Sequence, residues 1–185
     1  MRRRMPENRG DPGVLHVPSG GGRAVWFNGG LVTFYALGED TGGAFTLFEE
    51  ALAPQERAMP HLHHEEDQAF YVLEGDHQFI CDGRAFAAGA GSFVYVPRGT
   101  VHSYENVGTE PGRLLILSTP AGGTERLFLE LGEPAAEGSS PPPTEPLDLG
   151  EFRATVQRYG SDIDLFALLQ QISARPPPER NATSQ

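Results

Sequence analysis

The chain has 185 residues and a formal net charge of -11, a size that suits one compact domain with additional tails. All 14 basic residues are arginine, which excludes a lysine Schiff base, and the acidic balance argues against nucleic acid or an anionic membrane as a partner. The single cysteine, Cys81, excludes an intramolecular disulfide, and no apolar stretch reaches the ~20 residues of a membrane span, so we expect a cytoplasmic protein.

The pattern along the chain predicts an all-β domain over residues 14–135, preceded by a disordered N-terminal arm at 1–13. Short apolar or alternating runs are separated by Gly, Pro, Asp or Asn, which is typical of a sandwich or barrel. Asp82-Gly83 predicts a hairpin turn, because both residues tolerate positive φ. The runs that predict strands are 14–17, 24–27, 31–36, 44–48, 69–73, 78–81, 92–96 and 113–118.

The pattern changes after the last of these strands. Apolar spacing predicts short helices at 124–131, 152–159 and 163–172. Residues 136–173 are therefore predicted to form a linker, rich in Ser and Pro, and a C-terminal helical extension. A disordered tail is expected at 174–185.

Histidines mark the candidate chemistry, since four of the six lie beside two turns rich in Gly and Pro. Alternate side chains of a strand point to the same side, so His61 and His63 face one way. Pro97 and Gly99 make a turn that delivers His102 at the start of the next strand. Imidazoles can share one ion, and they suit Zn, Cu, Fe and Ni. The sequence thus predicts a metal site.

These two segments resemble the two motifs of the cupin superfamily. The first motif is His-x-His, three or four residues, Glu, six residues and Gly, and 61–75 matches it except that Gln68 stands at the glutamate position. The second motif is Gly, five residues, Pro-x-Gly, two residues, His, three residues and Asn, and it is complete at 91–106. Segments 26–31 and 119–134 are similar to single-domain bacterial cupins described as quercetin 2,3-dioxygenase-like.

The resemblance implies a cupin double-stranded β-helix, a jelly-roll barrel with short C-terminal helices. It also implies one divalent transition metal ion inside the barrel, with Fe, Ni, Mn, Co, Cu and Zn not distinguished. The implied ligands are His61, His63, Gln68 and His102. A homodimer is common among the relatives, and we expect one here together with a small-molecule ligand or substrate.

Gln68 limits what the resemblance implies about catalysis. In the flavonol-cleaving relatives, the glutamate at this position is thought to bind the metal and to take the substrate's hydroxyl proton. An amide oxygen can coordinate an ion, but it cannot accept a proton at neutral pH. The catalytic base is therefore unknown, and such chemistry needs another base or an ionised substrate, or it does not occur. A shorter motif spacing would make Asp67 the ligand, whereas the register set by Gly75 and 69–73 favours Gln68.

Aromatic side chains are the candidates for lining a substrate pocket. They are Phe70, Phe79 and Tyr104, and strand parity points the first and last inward with the metal ligands. They form either an apolar ligand pocket or ordinary barrel core. His64 is expected to face solvent, as is the acidic run at 65–67.

Three functions are compatible with this pattern. The first is a metal-dependent dioxygenase of the quercetinase-like type on a flavonol-like or other enolisable small molecule, which Gln68 counts against. The second is a metal-dependent isomerase or lyase on a sugar or carbonyl compound, although no convergent arginines for a phosphate stand beside the motifs. The third is a non-catalytic, metal-anchored small-molecule-binding cupin.

Overall fold

The structure is a computed structural model that describes residues 13–136 and 148–173, with backbone alone at 171–173. The arm predicted at 1–13, apart from Gly13, lies outside the described residues. So do the tail predicted at 174–185 and most of the predicted linker. Within the described ranges, no helix is long and apolar enough to cross a membrane.

The described residues form short strands followed by short helices. The first ten strands are β1 (Arg23–Phe27), β2 (Gly30–Ala36), β3 (Thr46–Leu52), β4 (His61–His63), β5 (Asp67–Glu74), β6 (Asp76–Cys81), β7 (Arg84–Gly89), β8 (Phe93–Val96), β9 (His102–Asn106) and β10 (Gly112–Thr119). They are followed by α1 (Gly123–Leu131), β11 (Glu133–Pro134), α2 (Leu149–Arg158), β12 (Ser161–Ile163) and α3 (Leu165–Ser173).

The strands pair into two antiparallel sheets. The larger sheet has the order β11-β1-β2-β3-β10-β5-β8, and the smaller has the order β12-β4-β9-β6-β7. Strands distant in sequence are therefore neighbours, as β10 lies between β3 and β5. This architecture is the predicted double-stranded β-helix with short C-terminal helices.

One hydrophobic core joins the two sheets, because strands from both bury alternate side chains. In β2, β3 and β10 every second residue is buried. Phe70 of the larger sheet and Phe79 of the smaller are fully buried, with ring centroids 5.3 Å apart. The core thus holds the two sheets together through aromatic and aliphatic side chains.

The β6–β7 hairpin has the turn that the sequence predicts at Asp82-Gly83. Asp82 and Gly83 have φ values of 46° and 77°, and Cys81 pairs with Arg84 across the turn. The strand predicted at 14–17 is wrong. No strand of the described residues pairs with that segment, and Val14 is fully exposed.

The C-terminal extension packs beside the candidate site. Phe152 and Val156 of α2 form a second apolar cluster with Ile163. The helix predicted at 163–172 begins at Leu165 instead, because Ile163 belongs to β12, which pairs with β4. The extension therefore adds an edge strand next to the two histidines of β4.

Candidate metal centre

Three histidines from two distant segments come together on two neighbouring strands of the smaller sheet. His61 and His63 lie on β4, and His102 begins β9 directly opposite His61. Their ring centroids are 4.3–5.6 Å apart, and one candidate ligand atom from each lies within 4.8 Å of the others. His102 and His63 are buried. This cluster is able to hold a metal ion.

Backbone carbonyls orient two of the rings. The Nδ1 atom of His61 lies 2.7 Å from the carbonyl oxygen of Met59, and Nδ1 of His102 lies 3.1 Å from that of Thr100. A carbonyl oxygen only accepts hydrogen bonds, so each Nδ1 carries the proton and each Nε2 keeps its lone pair. Metal-binding histidines are commonly fixed in this way by a hydrogen bond from the other ring nitrogen.

His63 supplies the test of whether an ion fits here. Its Nδ1 atom lies 2.8 Å from Oγ of Ser161 and 3.6 Å from Oε2 of Glu66. Its Nε2 atom is buried and has no hydrogen-bond partner among the described residues. A buried polar atom without a partner is costly and rare. A metal ion shared with the two neighbouring imidazoles would satisfy it.

The electrostatics keep the cluster uncharged. Burial lowers the pKa of His61, and burial together with the neighbouring rings lowers the pKa of His63 well below its usual value. Burial, reinforced by His61, lowers the pKa of His102 to about 3. All three imidazoles are therefore neutral at physiological pH, which is the form that binds a metal.

Gln68 lies against the cluster, where its motif position predicts it. Its Nε2 donates to Oγ of Ser118 at 3.1 Å, and its Oε1 lies 3.0 Å from Nε2 of His102. An amide oxygen can coordinate an ion, so Gln68 is placed to join His102 in holding one.

Asp67, the residue favoured by the shorter motif spacing, is engaged elsewhere. Arg98 holds its carboxylate with its backbone N–H at 2.8 Å and its guanidinium at 2.9 Å. These hydrogen bonds lower the pKa of Asp67 well below its usual value. Adjacent strand positions point to opposite faces, which separates Asp67 from the cluster that Gln68 contacts.

The sequence comparison agrees with this geometry. A family model described as a cupin domain matches residues 48–118, which include all three histidines. The chain contains a cupin domain. Its three-histidine cluster is a candidate metal site, and the identity of a metal is not fixed by the fold.

Relatives of the cupin domain have several descriptions. The chain is 32% identical over 72 residues to the uncharacterized protein MJ1618 of Methanocaldococcus jannaschii, which is 38% of this chain and 58% of that protein. It is 29% identical over 118 residues to quercetin 2,3-dioxygenase of Bacillus subtilis, which is 64% of this chain and 34% of that enzyme. The chain thus spans about a third to three fifths of these relatives' lengths.

A solved structure shares the fold. The crystal structure of a predicted oxalate decarboxylase from Thermotoga maritima matches with a TM-score of 0.53 and 22% identity. The match covers 57% of this chain and 98% of that one. At this identity the likeness shows the cupin fold alone.

A cavity lined by residues of the strands and of the C-terminal helices lies beside the histidines. Its apolar wall includes Phe27, Phe48, Leu127, Phe128, Phe152 and Ile163. Its polar lining includes Glu50, Glu56, Arg57, Gln68, Ser161 and the histidines of β4. Tyr104 lines this cavity. Phe70 and Phe79 do not line it, because they pack behind Tyr104 in the core, with ring centroids 5.3 and 5.7 Å from it.

Several residues around the site escaped the sequence analysis. Glu66 is buried rather than solvated, because it accepts hydrogen bonds from the backbone N–H groups of Gly123 and Thr124 at the start of α1. That helix end offers unpaired N–H groups to a carboxylate. Glu50 and Ser161 were also missed. Glu50 has the same strand parity as Phe48 and Leu52 but lies beyond the strand predicted at 44–48, whereas Ser161 carries no local signal.

Changing Ser161 to alanine is expected to weaken metal binding by about 10–100-fold while leaving the fold intact. The serine hydroxyl is the closest partner of Nδ1 of His63, and outer partners of this kind typically contribute that much to metal affinity. Competition against a chelator of known affinity measures the change. An unaltered affinity would show that Ser161 does not orient the ring.

Proposed function

We propose that the protein is a metal-dependent dioxygenase of the quercetinase-like type, acting on a flavonol-like or other enolisable small molecule. The observation that carries this proposal is the convergence of three neutral imidazoles beside an apolar cavity. The similarity to quercetin 2,3-dioxygenase supports the same class of reaction. Both atoms of dioxygen would enter the product of such a reaction.

We propose His61, His63, His102 and Gln68 as the residues that hold one divalent transition metal ion. When bound, the ion supplies Lewis acidity toward a substrate oxygen. All four side chains are uncharged, so none of them neutralises the ion. The site therefore favours an anionic oxygen, such as that of an enolate, over a neutral hydroxyl.

The cavity wall favours a flat aromatic substrate. Phe27 contacts Phe128 edge to face at 4.9 Å and stacks near Phe152 at 6.3 Å, so aromatic surfaces meet at one wall. A pocket of this composition binds largely through apolar contact, and its few polar groups set orientation.

Oxygen consumption tests this proposal. Protein reconstituted separately with Fe, Ni, Mn or Co is expected to consume dioxygen when given flavonols, with at least one metal giving turnover above the metal-free protein. An oxygen electrode measures the rate. If no metal gives consumption with any member of a flavonol panel, the dioxygenase proposal is wrong.

Gln68→Ala provides the matched comparison, and Asp67→Asn is its control. Loss of oxygen consumption in Gln68→Ala with retention in Asp67→Asn supports Gln68 as part of the site. If wild type is inactive and Gln68→Glu gains activity, a non-catalytic, metal-anchored binding protein is favoured instead. The observation that favours this second candidate is the glutamine at the glutamate position of the motif.

An isomerase or lyase on a sugar or carbonyl compound has less support. Arg57 lines the cavity, but it lies 3.5 Å from the carboxylate of Glu105 and close to other acidic groups. A phosphate site usually gathers several cationic donors. The small-molecule partner, the homodimer and the cytoplasmic location stay predictions.

A further inference from the structure

We propose that Glu50 is the proton acceptor of this site and takes the enol hydroxyl proton of the substrate, in place of the motif glutamate that this chain lacks at position 68. This inference rests on the proposed function, because it concerns the same cavity and the same class of substrate. Tyr104 is the positioning residue that holds the Glu50 carboxylate in place.

The backbone directs Glu50 into the cavity. It lies on β3 between Phe48 and Leu52, whose side chains are both in the core, and strand parity gives all three the same inward direction. Its side chain lines the cavity that His61 and His63 also line. A substrate that occupies this cavity therefore meets the carboxylate and the histidines together.

The surroundings of Glu50 leave a carboxylate oxygen available. Its Oε2 accepts a hydrogen bond from the Tyr104 hydroxyl at 2.5 Å. Its Oε1 makes no hydrogen bond with the described residues, and no described cation forms an ion pair with it. A buried carboxylate without a cationic partner destabilises a fold, so stability does not explain why a glutamate stands at position 50. Such groups in a cavity are candidates for function.

The charged groups around Glu50 favour a proton near neutral pH. Burial raises the pKa of Glu50, the Tyr104 hydrogen bond lowers it and the neighbouring Glu56 carboxylate raises it, which together place it at about 7. Arg57 is the cation that lines the cavity, and it pairs with Glu105. A base of this strength can both take and return a proton at physiological pH.

The proposed step is a single proton transfer. The O–H bond of the substrate's enol hydroxyl breaks, the proton forms a new O–H bond on the free oxygen of Glu50, and the electron pair stays on the substrate oxygen. Gln68 cannot do this, because a neutral amide has no basic site at this pH. The proton returns to the product oxygen after the oxidation by dioxygen.

Infrared difference spectroscopy of the metal-free protein tests the proton on Glu50 without any substrate. The spectrum of wild type minus Glu50→Gln is expected to show the carbonyl band of a protonated carboxylic acid at pH 6, converted to carboxylate by pH 9. Glu49→Gln is the matched control, because Glu49 directly precedes Glu50 in β3 but pairs with Arg113, which lowers its pKa. A Glu50 that stays protonated at pH 9, or that titrates like Glu49, overturns the inference.

The rate of oxygen consumption provides a second test of the role of Glu50. Glu50→Gln is expected to lower kcat for oxygen consumption by about 10²–10⁴-fold with metal content unchanged, and the added substitution Gln68→Glu is expected to restore part of the loss. A wild-type rate and pH profile in Glu50→Gln would overturn the inference and leave the dioxygenase proposal standing. An inactive wild type would overturn the dioxygenase proposal, and the infrared result would still decide whether Glu50 exchanges a proton.

Discussion

Replacing His102 with alanine is expected to lower bound metal from about one ion per chain to well under stoichiometric. The variant loses one of the three imidazoles whose candidate ligand atoms lie within 4.8 Å of each other. Loss of a residue that hydrogen-bonds to a metal ligand typically weakens metal binding about 10–100-fold. Loss of a ligand itself should weaken metal binding more. Elemental analysis of protein dialysed against a weak chelator measures the metal content.

His61→Ala should give the same result, because His61 is the register partner of His102. His64→Ala is the matched control. His64 adjoins the cluster in sequence, but its side chain is exposed, so metal content should stay at the wild-type level. Stoichiometric metal in both His61→Ala and His102→Ala would show that the ion, if any, binds elsewhere.

The stability of the metal-free protein should also change with pH in a defined direction. Burial lowers the pKa of folded His102 to about 3, whereas an unfolded histidine titrates near 6.5. The unfolded state therefore binds more protons between these values, and stability falls as the pH drops from about 6.5 toward 3. His102→Ala removes this contribution.

The sequence predicted the histidine cluster because the rules involved are local. Alternation along a strand places His61 and His63 on one side, and a Pro-Gly turn sets where His102 begins its strand. The motif spacing then predicted that both segments belong to one barrel. Gln68 followed from the same register, and the structure places its amide against His102.

Residues brought in by long-range packing could not be predicted in this way. Ser161 reaches His63 only because β12 pairs with β4 across 98 positions of sequence. Glu66 is buried because the first backbone N–H group of α1 donates a hydrogen bond to it, a contact that no pattern within 65–67 reveals. Phe70 and Phe79 show what strand parity leaves undecided. Parity gives the inward direction, but not whether an inward side chain meets the cavity or the core.

The fold shows the same division between local and tertiary signals. Most predicted strands match because most have alternating burial and a turn at their end, and the Asp82-Gly83 hairpin is fixed by its own two residues. The run at 14–17 has strand-like composition but no neighbouring strand among the described residues. A strand is stabilised by pairing, so composition alone did not decide it.

Glu50→Gln is expected to stabilise the metal-free protein at pH 8 by about 3 kcal/mol and to have little effect at pH 5. The pKa of Glu50 rises from 4.5 when unfolded to about 7 when folded, because burial disfavours the charged carboxylate. Each unit of such a shift corresponds to about 1.4 kcal/mol between the two protonation states. Urea denaturation at both pH values measures the free energy of unfolding.

The direction follows from proton binding. Between pH 4.5 and 7 the folded state holds the Glu50 proton more tightly than the unfolded state, so stability is lost as the pH rises through this window. A neutral glutamine has the same shape and no proton to lose, so its advantage should grow through the window and be complete above it. Glu49→Gln should give no gain at pH 8, because Arg113 stabilises that carboxylate.

The size of the gain at pH 8 connects stability to function. A protein that would be more stable with glutamine at position 50 retains a carboxylate there at a cost, which is common where an active site needs a charged group. If Glu50→Gln is destabilising at both pH values, the carboxylate is a structural partner of Tyr104, and its burial says nothing about proton transfer. Equal gains at pH 5 and pH 8 would show that packing, and not the charge, accounts for the difference.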